Sequence, residues 1–68
     1  MTPSVPLTPR ERQCVTLVAE GHTDAWIALK LGISPRTSRF HVENARRKFG
    51  ATNRPMLISK MLKQESET

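Results

Sequence analysis

The sequence predicts an all-α fold, a four-helix bundle. Three observations predict it. Four helix starts recur along the 68 residues, each headed by Thr, Ser or Asn, whose side chain accepts a hydrogen bond from an orphan first-turn amide. Glycine follows three of the four apolar segments, at positions 21, 32 and 50, where a helix ends readily in a left-handed residue. Strand signals are nearly absent: there is no alternating stretch of useful length and no Asn-Gly or Asp-Gly hairpin turn.

The first helix begins at Thr8. Thr8-Pro9-Arg10-Glu11 reads as a capping box, with proline at the first helical position and Glu11 able to reach back to the cap. Cys14, Leu17 and Val18 follow at helical spacing, and Gly21 stops the helix. The second starts after Thr23 and runs through Trp26, Ile27, Ala28, Leu29 and Leu31 to Gly32. Two turns are too few for an isolated helix, so neighbours must hold it. Gly32-Ile33-Ser34-Pro35 then ends one helix and starts the next within four residues, with Ser34 as cap and Pro35 in the first turn. This is the connection of a helix-turn-helix. The third helix runs from Pro35 to Phe49 and is stopped by Gly50. The fourth starts at Asn53, with Pro55 in its first turn, and carries Met56, Leu57, Ile58, Met61 and Leu62. Residues 1–6 read as a flexible arm, 7–63 as the domain and 64–68, an acidic stretch without apolar residues, as a disordered tail.

A chain this short holds one small core and leaves little room for a catalytic cleft. No carboxylate pair, His/Cys cluster or nucleophile–base arrangement has workable spacing, so no enzyme, cofactor, metal or small-molecule site is expected. Cys14, the single cysteine, excludes an internal disulfide and reads as a small buried hydrophobe. A free thiol, no signal peptide and no apolar run of membrane-spanning length together suggest the cytoplasm and no membrane partner. Eleven Lys and Arg against six Asp and Glu give a formal net charge of +5, a balance suited to polyanions.

The charge is concentrated on the third helix, where five basic residues and one acid lie between Arg36 and Lys48. Successive residues turn by about 100°. Ser38, Val42, Ala45 and Phe49 then share an inward stripe, with His41 at its margin. Arg36, Arg39, Phe40, Glu43 and Arg47 fall opposite. In a helix-turn-helix the second helix enters the DNA major groove, and the residues near its N-terminus reach base edges. Arg36, Arg39, Phe40 and Glu43 occupy that region. Arginine can pair with guanine O6 and N7, glutamate can accept from cytosine N4, and Phe40 can meet a thymine methyl. Arg46, Arg47 and Lys48 lie further along, where phosphate contact is expected. Ser34 and Thr37, with the first-turn amides, form a second phosphate site, and Thr23 a third.

The segments Leu7-Thr8-Pro9-Arg10-Glu11-Arg12, Glu20-Gly21, Ile27-Ala28 and Leu31-Gly32-Ile33-Ser34 resemble the LuxR-type (GerE-like) DNA-binding domain. The run from Thr37 to Gly50, closed by Asn53-Arg54, is similar to the quorum-sensing regulators among them. The resemblance covers roughly residues 7–62. It implies bacterial transcription regulation, major-groove binding by the third helix and dimerisation through the fourth, with double-stranded DNA and a second LuxR-type chain as partners. It also implies base reading by Arg39, Phe40 and Glu43, and phosphate contact by Thr23, Thr37 and Lys48. The dimer contact is expected at Met56, Ile58, Met61 and Leu62. Two positions depart from the family pattern. Ser38 stands where an aliphatic residue is usual, and its buried hydroxyl is expected to bond back to a carbonyl one turn earlier. Trp26 stands where glutamate is common. A second reading of the chain is a protein-interaction module that pairs with a full-length LuxR-type regulator. A third is nucleic-acid binding without sequence preference.

Overall fold

A computed structural model describes residues 5–66. Four helices follow one another: α1 (Pro9–Ala19), α2 (Asp24–Leu31), α3 (Pro35–Phe49) and α4 (Arg54–Ser66), with no strand among the described residues. None of the helices is long and apolar enough to cross a membrane. Every start carries the expected cap. Thr8 Oγ1 accepts from the Glu11 amide at 3.1 Å while the Glu11 carboxylate accepts from the Thr8 amide at 3.0 Å, completing the capping box. Thr23, Ser34 and Asn53 accept from the amides of Trp26, Thr37 and Met56.

The turn between α2 and α3 depends on Gly32. Its φ of +70° lies in the left-handed region, which a side chain disfavours. There the amides of Gly32 and Ile33 both bond back to the Ala28 carbonyl, the latter at 2.9 Å, which closes α2, and the chain enters α3 two residues later.

α3 packs against all three other helices, whereas the backbones of α2 and α4 do not pack on one another. Its inner residues are small: Ser38, Val42 and Ala45 are fully buried and let the neighbouring backbones approach. Around them lie Cys14 and Val15 from α1, Ile27 and Ala28 from α2, Ala51, and Leu57 and Met61 from α4. Cys14 is a buried core residue as expected, and burial pushes its thiol pKa up.

Two expectations are corrected. Met61, assigned to a dimer contact, is 1% exposed and belongs to the core, because the Leu57–Met61 line is the one that faces inward. Met56 and Leu62 are exposed and Ile58 is half-buried. The tail assigned to residues 64–68 is helical through Ser66, and positions 67–68 lie outside the described residues. Two contacts hold that last turn: Val5 donates its amide to Gln64 Oε1 at 2.6 Å, and Arg12 pairs with Glu65 at 2.8 Å. The same Val5 bond ties down the end of the arm assigned to residues 1–6, of which 1–4 lie outside the described residues.

Glu11 is 4% exposed, and Lys48 reaches from the last turn of α3 to place Nζ 2.7 Å from Glu11 Oε1. The same ammonium donates to the Pro6 carbonyl at 3.2 Å. Burial alone would raise the Glu11 pKa, but hydrogen bonds from Lys48 and the Thr8 amide, with the Lys48 charge, bring it below the ordinary glutamate value. A carboxyl with a depressed folded-state pKa stabilises the fold above its unfolded pKa, and the contribution is lost as pH falls through the folded one. Lys48→Met leaves the Glu11 charge buried beside apolar groups. Because Lys48 is partly exposed, the expected cost at neutral pH is about 2 kcal/mol, between the values for surface and fully buried pairs. Urea unfolding across pH checks this: the gap between wild type and K48M narrows below the ordinary glutamate range, where Glu11 takes up a proton.

Candidate nucleic-acid interface

The outer face of α3 is built by the same packing that buries its inner face. Arg36, Arg39 and Phe40 are exposed, Phe40 at 58%, and Arg47 is exposed one turn beyond Glu43. Among the described residues neither Arg36 nor Arg39 makes a hydrogen bond or an ion pair. They stand beside the first turn of α3, free to meet a ligand. Phe40 packs edge-on against the neighbouring His41 ring, with centroids 5.9 Å apart.

The remaining assigned residues are differently engaged. Glu43 is half-buried and paired with Arg46, whose Nε lies 3.0 Å from Oε2. Arg46 Nη1 also donates to the Ala51 carbonyl at 2.9 Å. Arg47 donates to Asn44 Oδ1. Lys48 points back to Glu11, so the cation that the resemblance gave to phosphate is already neutralised by a buried acid. No expectation drawn from the third helix alone anticipated these engagements, although Glu43–Arg46 stand at i,i+3, a spacing that brings helical side chains together.

The hydroxyls at the two helix starts also differ. Ser34 Oγ accepts from the Thr37 amide at 3.0 Å and donates its own proton to Thr37 Oγ1 at 2.9 Å. The Thr37 hydroxyl itself donates to no described residue. Thr23 Oγ1 accepts from the Trp26 amide and keeps its proton available. Trp26 is 40% exposed and stacks on His22, with centroids 3.6 Å apart and planes 9° from parallel. Leu29, further along α2, is 85% exposed.

Behind the outer face lies a polar link that the sequence reading missed. Ser38 Oγ donates to Asp24 Oδ1 at 3.2 Å rather than back to a carbonyl of its own helix. Arg54 Nη2 donates to the other Asp24 oxygen at 2.9 Å. Asp24 opens α2 and Arg54 opens α4, so one carboxylate joins the heads of two helices to the buried side of α3. Every buried side-chain polar atom among the described residues has a partner. The described residues hold no cluster of three or more His, Cys, Asp or Glu positioned for a metal ion.

Residues 5–61 match the family described as bacterial regulatory proteins, luxR family. The chain is 45% identical over 60 residues to the transcriptional activator protein VanR of Vibrio anguillarum, covering 88% of this chain and 25% of that protein. It is 43% identical over 56 residues to the transcriptional activator protein LuxR of Aliivibrio fischeri, covering 82% of this chain and 22% of the other. Among solved structures, the phage VqmA–DPO complex superposes with a TM-score of 0.84 at 36% identity, over 94% of this chain and 29% of that one. The chain thus spans about a quarter of the length of these proteins.

Removal of the Ser38 hydroxyl checks the Asp24 link. Ser38→Ala is expected to lower the stability by about 1.5 kcal/mol, the range for a hydrogen bond to a charged group. Asp24→Ala should cost more, because Arg54 loses its partner too. Urea midpoints with an unchanged m-value are the measurement.

Proposed function

The chain belongs to the luxR family of bacterial regulatory proteins, and from that footing we propose that it binds double-stranded DNA in a sequence-dependent way, with α3 in the major groove, as the DNA-reading part of a transcription regulator. The observation that carries this reading is the outer face of α3. Two arginines and an exposed phenylalanine stand there with no ion pair among the described residues, beside a helix start whose Thr37 hydroxyl donates to no described residue. A cation left unpaired in a chain of net charge +5 has its natural partner in a polyanion. Arg36 and Arg39 read guanine O6 and N7, Phe40 meets a thymine methyl, and Glu43 accepts from an amino group. Thr23, Thr37 and Arg47 contact phosphates and fix the register. The likeness to VanR and LuxR, both transcriptional activator proteins, supports the regulatory setting.

The dimer contact reduces to Met56, Ile58 and Leu62, the apolar residues of α4 that the core leaves at or near the surface. Paired chains place two α3 helices on successive major-groove half-sites.

Selection from a random duplex pool tests the DNA reading. Wild type should enrich one sequence, with an affinity that falls steeply with salt as counterions are released. Arg39→Ala should relax one base position and cost the preferred sequence about 1–3 kcal/mol. A chain that binds no duplex at low salt, or enriches none, would sink the proposal. Leu62→Glu should shift sedimentation on a two-half-site duplex from two bound chains to one while single-half-site affinity holds.

A further inference from the structure

Arg46 is expected at phosphate from its place near the end of α3, yet its guanidinium makes two contacts inside the chain. Nε donates to Glu43 Oε2 at 3.0 Å and Nη1 to the Ala51 carbonyl at 2.9 Å. The Ala51 carbonyl lies beyond the left-handed Gly50, where the Ala51 amide bonds back to the Arg46 carbonyl at 3.0 Å. Ala51 itself is 4% exposed. One edge of the guanidinium is thus anchored to rigid, buried backbone, and the plane of the group is set. A planar fork fixed at one end holds a carboxylate in one orientation, which a flexible ammonium could not do.

Glu43 depends on that hold. Its side chain is about one-third exposed. Of its carboxylate oxygens, Oε2 is taken by Arg46, and Oε1 has no partner among the described residues. A bare carboxylate entering a groove lined with phosphates is repelled. One paired with a guanidinium enters close to neutral and still offers one acceptor oxygen.

We propose that Arg46 is a positioning residue for base selection, which neutralises Glu43 and holds its free oxygen toward an amino-bearing base, cytosine through N4 or adenine through N6. The inference rests on the DNA reading above and deepens it. Arg46 touches no base. It makes the Glu43 contact possible and sets which base is accepted there.

The test uses the whole chain with four duplexes that differ only at the base pair facing Glu43, identified by selection, over a range of salt. Arg46→Gln should lower affinity for the preferred duplex about tenfold, within the range for one lost base contact. Its affinity for the other three should fall by a clearly smaller factor, the repulsion that an unpaired Glu43 carboxylate meets on any duplex. Glu43→Ala, which leaves the Arg46–Ala51 contact intact, should flatten the preference equally. Adding Arg46→Gln to Glu43→Ala should change little more, a coupling that a purely structural role would not produce. Thermal melting of each variant separates loss of fold from loss of preference. Uniform weakening on all four duplexes with a salt slope smaller by about one would make Arg46 a phosphate contact and overturn the proposal. Independent, additive effects of the two substitutions would overturn it as well. A wild-type chain that enriches no sequence would instead remove the DNA reading itself.

Discussion

A fully buried hydroxyl in the middle of a small core has to find an acceptor, and the fold is organised around the one it finds. Ser38 sits on the inner side of α3, the helix against which all the others pack. An unpaired hydroxyl there would cost a few kcal/mol, a large share of the stability of a domain this size. Its acceptor is Asp24, the first residue of α2, and the same carboxylate receives Arg54, the first residue of α4. α2 and α4 do not pack on one another, so this carboxylate supplies a link that apolar contact does not. The apolar core brings the helices together. The Ser38–Asp24–Arg54 link fixes how the heads of α2 and α4 sit against α3, and with them the direction in which the outer face of α3 looks.

The cations of the chain divide by partner. Lys48 is committed to Glu11, Arg54 to Asp24, Arg12 to Glu65 and Arg46 to Glu43 and a backbone carbonyl. These charges join elements or shape side chains. Arg36 and Arg39 do neither. Net charge therefore describes the potential around the molecule poorly. What matters at close range is that uncompensated cations stand at the start of α3, while at its end Arg46 and Lys48 are paired and only Arg47 stays exposed without an acid. A protein that approaches a polyanion with such a surface meets it with a defined edge rather than a diffuse cloud.

The helices and their ends were legible in the sequence because the signals are local. Thr8, Thr23, Ser34 and Asn53 satisfy amides three residues away, and Gly32 and Gly50 turn the chain within one residue. The inward stripe of α3 was legible too, since helical periodicity alone separates Ser38, Val42 and Ala45 from Arg36 and Arg39. The partners of charged residues were not. Glu11 and Lys48 are 37 positions apart, and Asp24 and Arg54 are 30 apart, so only the assembled fold brings them together. α4 shows the limit from the other side. Its apolar residues form two adjacent lines, and nothing within the helix tells which line faces α1 and α3. The family resemblance puts Met61 in the dimer contact with Ile58 and Leu62, and the packed core takes it inward. Glu43–Arg46 was a readable spacing, but a face sorted by charge alone treats both as independent ligands.

The Val5 amide bonded to Gln64, and Arg12 paired with Glu65, bring the first described residues and the last turn of α4 side by side. The backbone is in effect a loop already closed by a hydrogen bond. Joining the stretch before Val5 to the end of α4 would turn it into a covalent ring closed around these two contacts. The ring would restrict the unfolded chain far more than the folded one and so raise stability by a loop-closure term. By the same geometry the domain could be carried as an insert in a surface turn of another protein, entering and leaving through one narrow opening, with the outer face of α3 left uncovered.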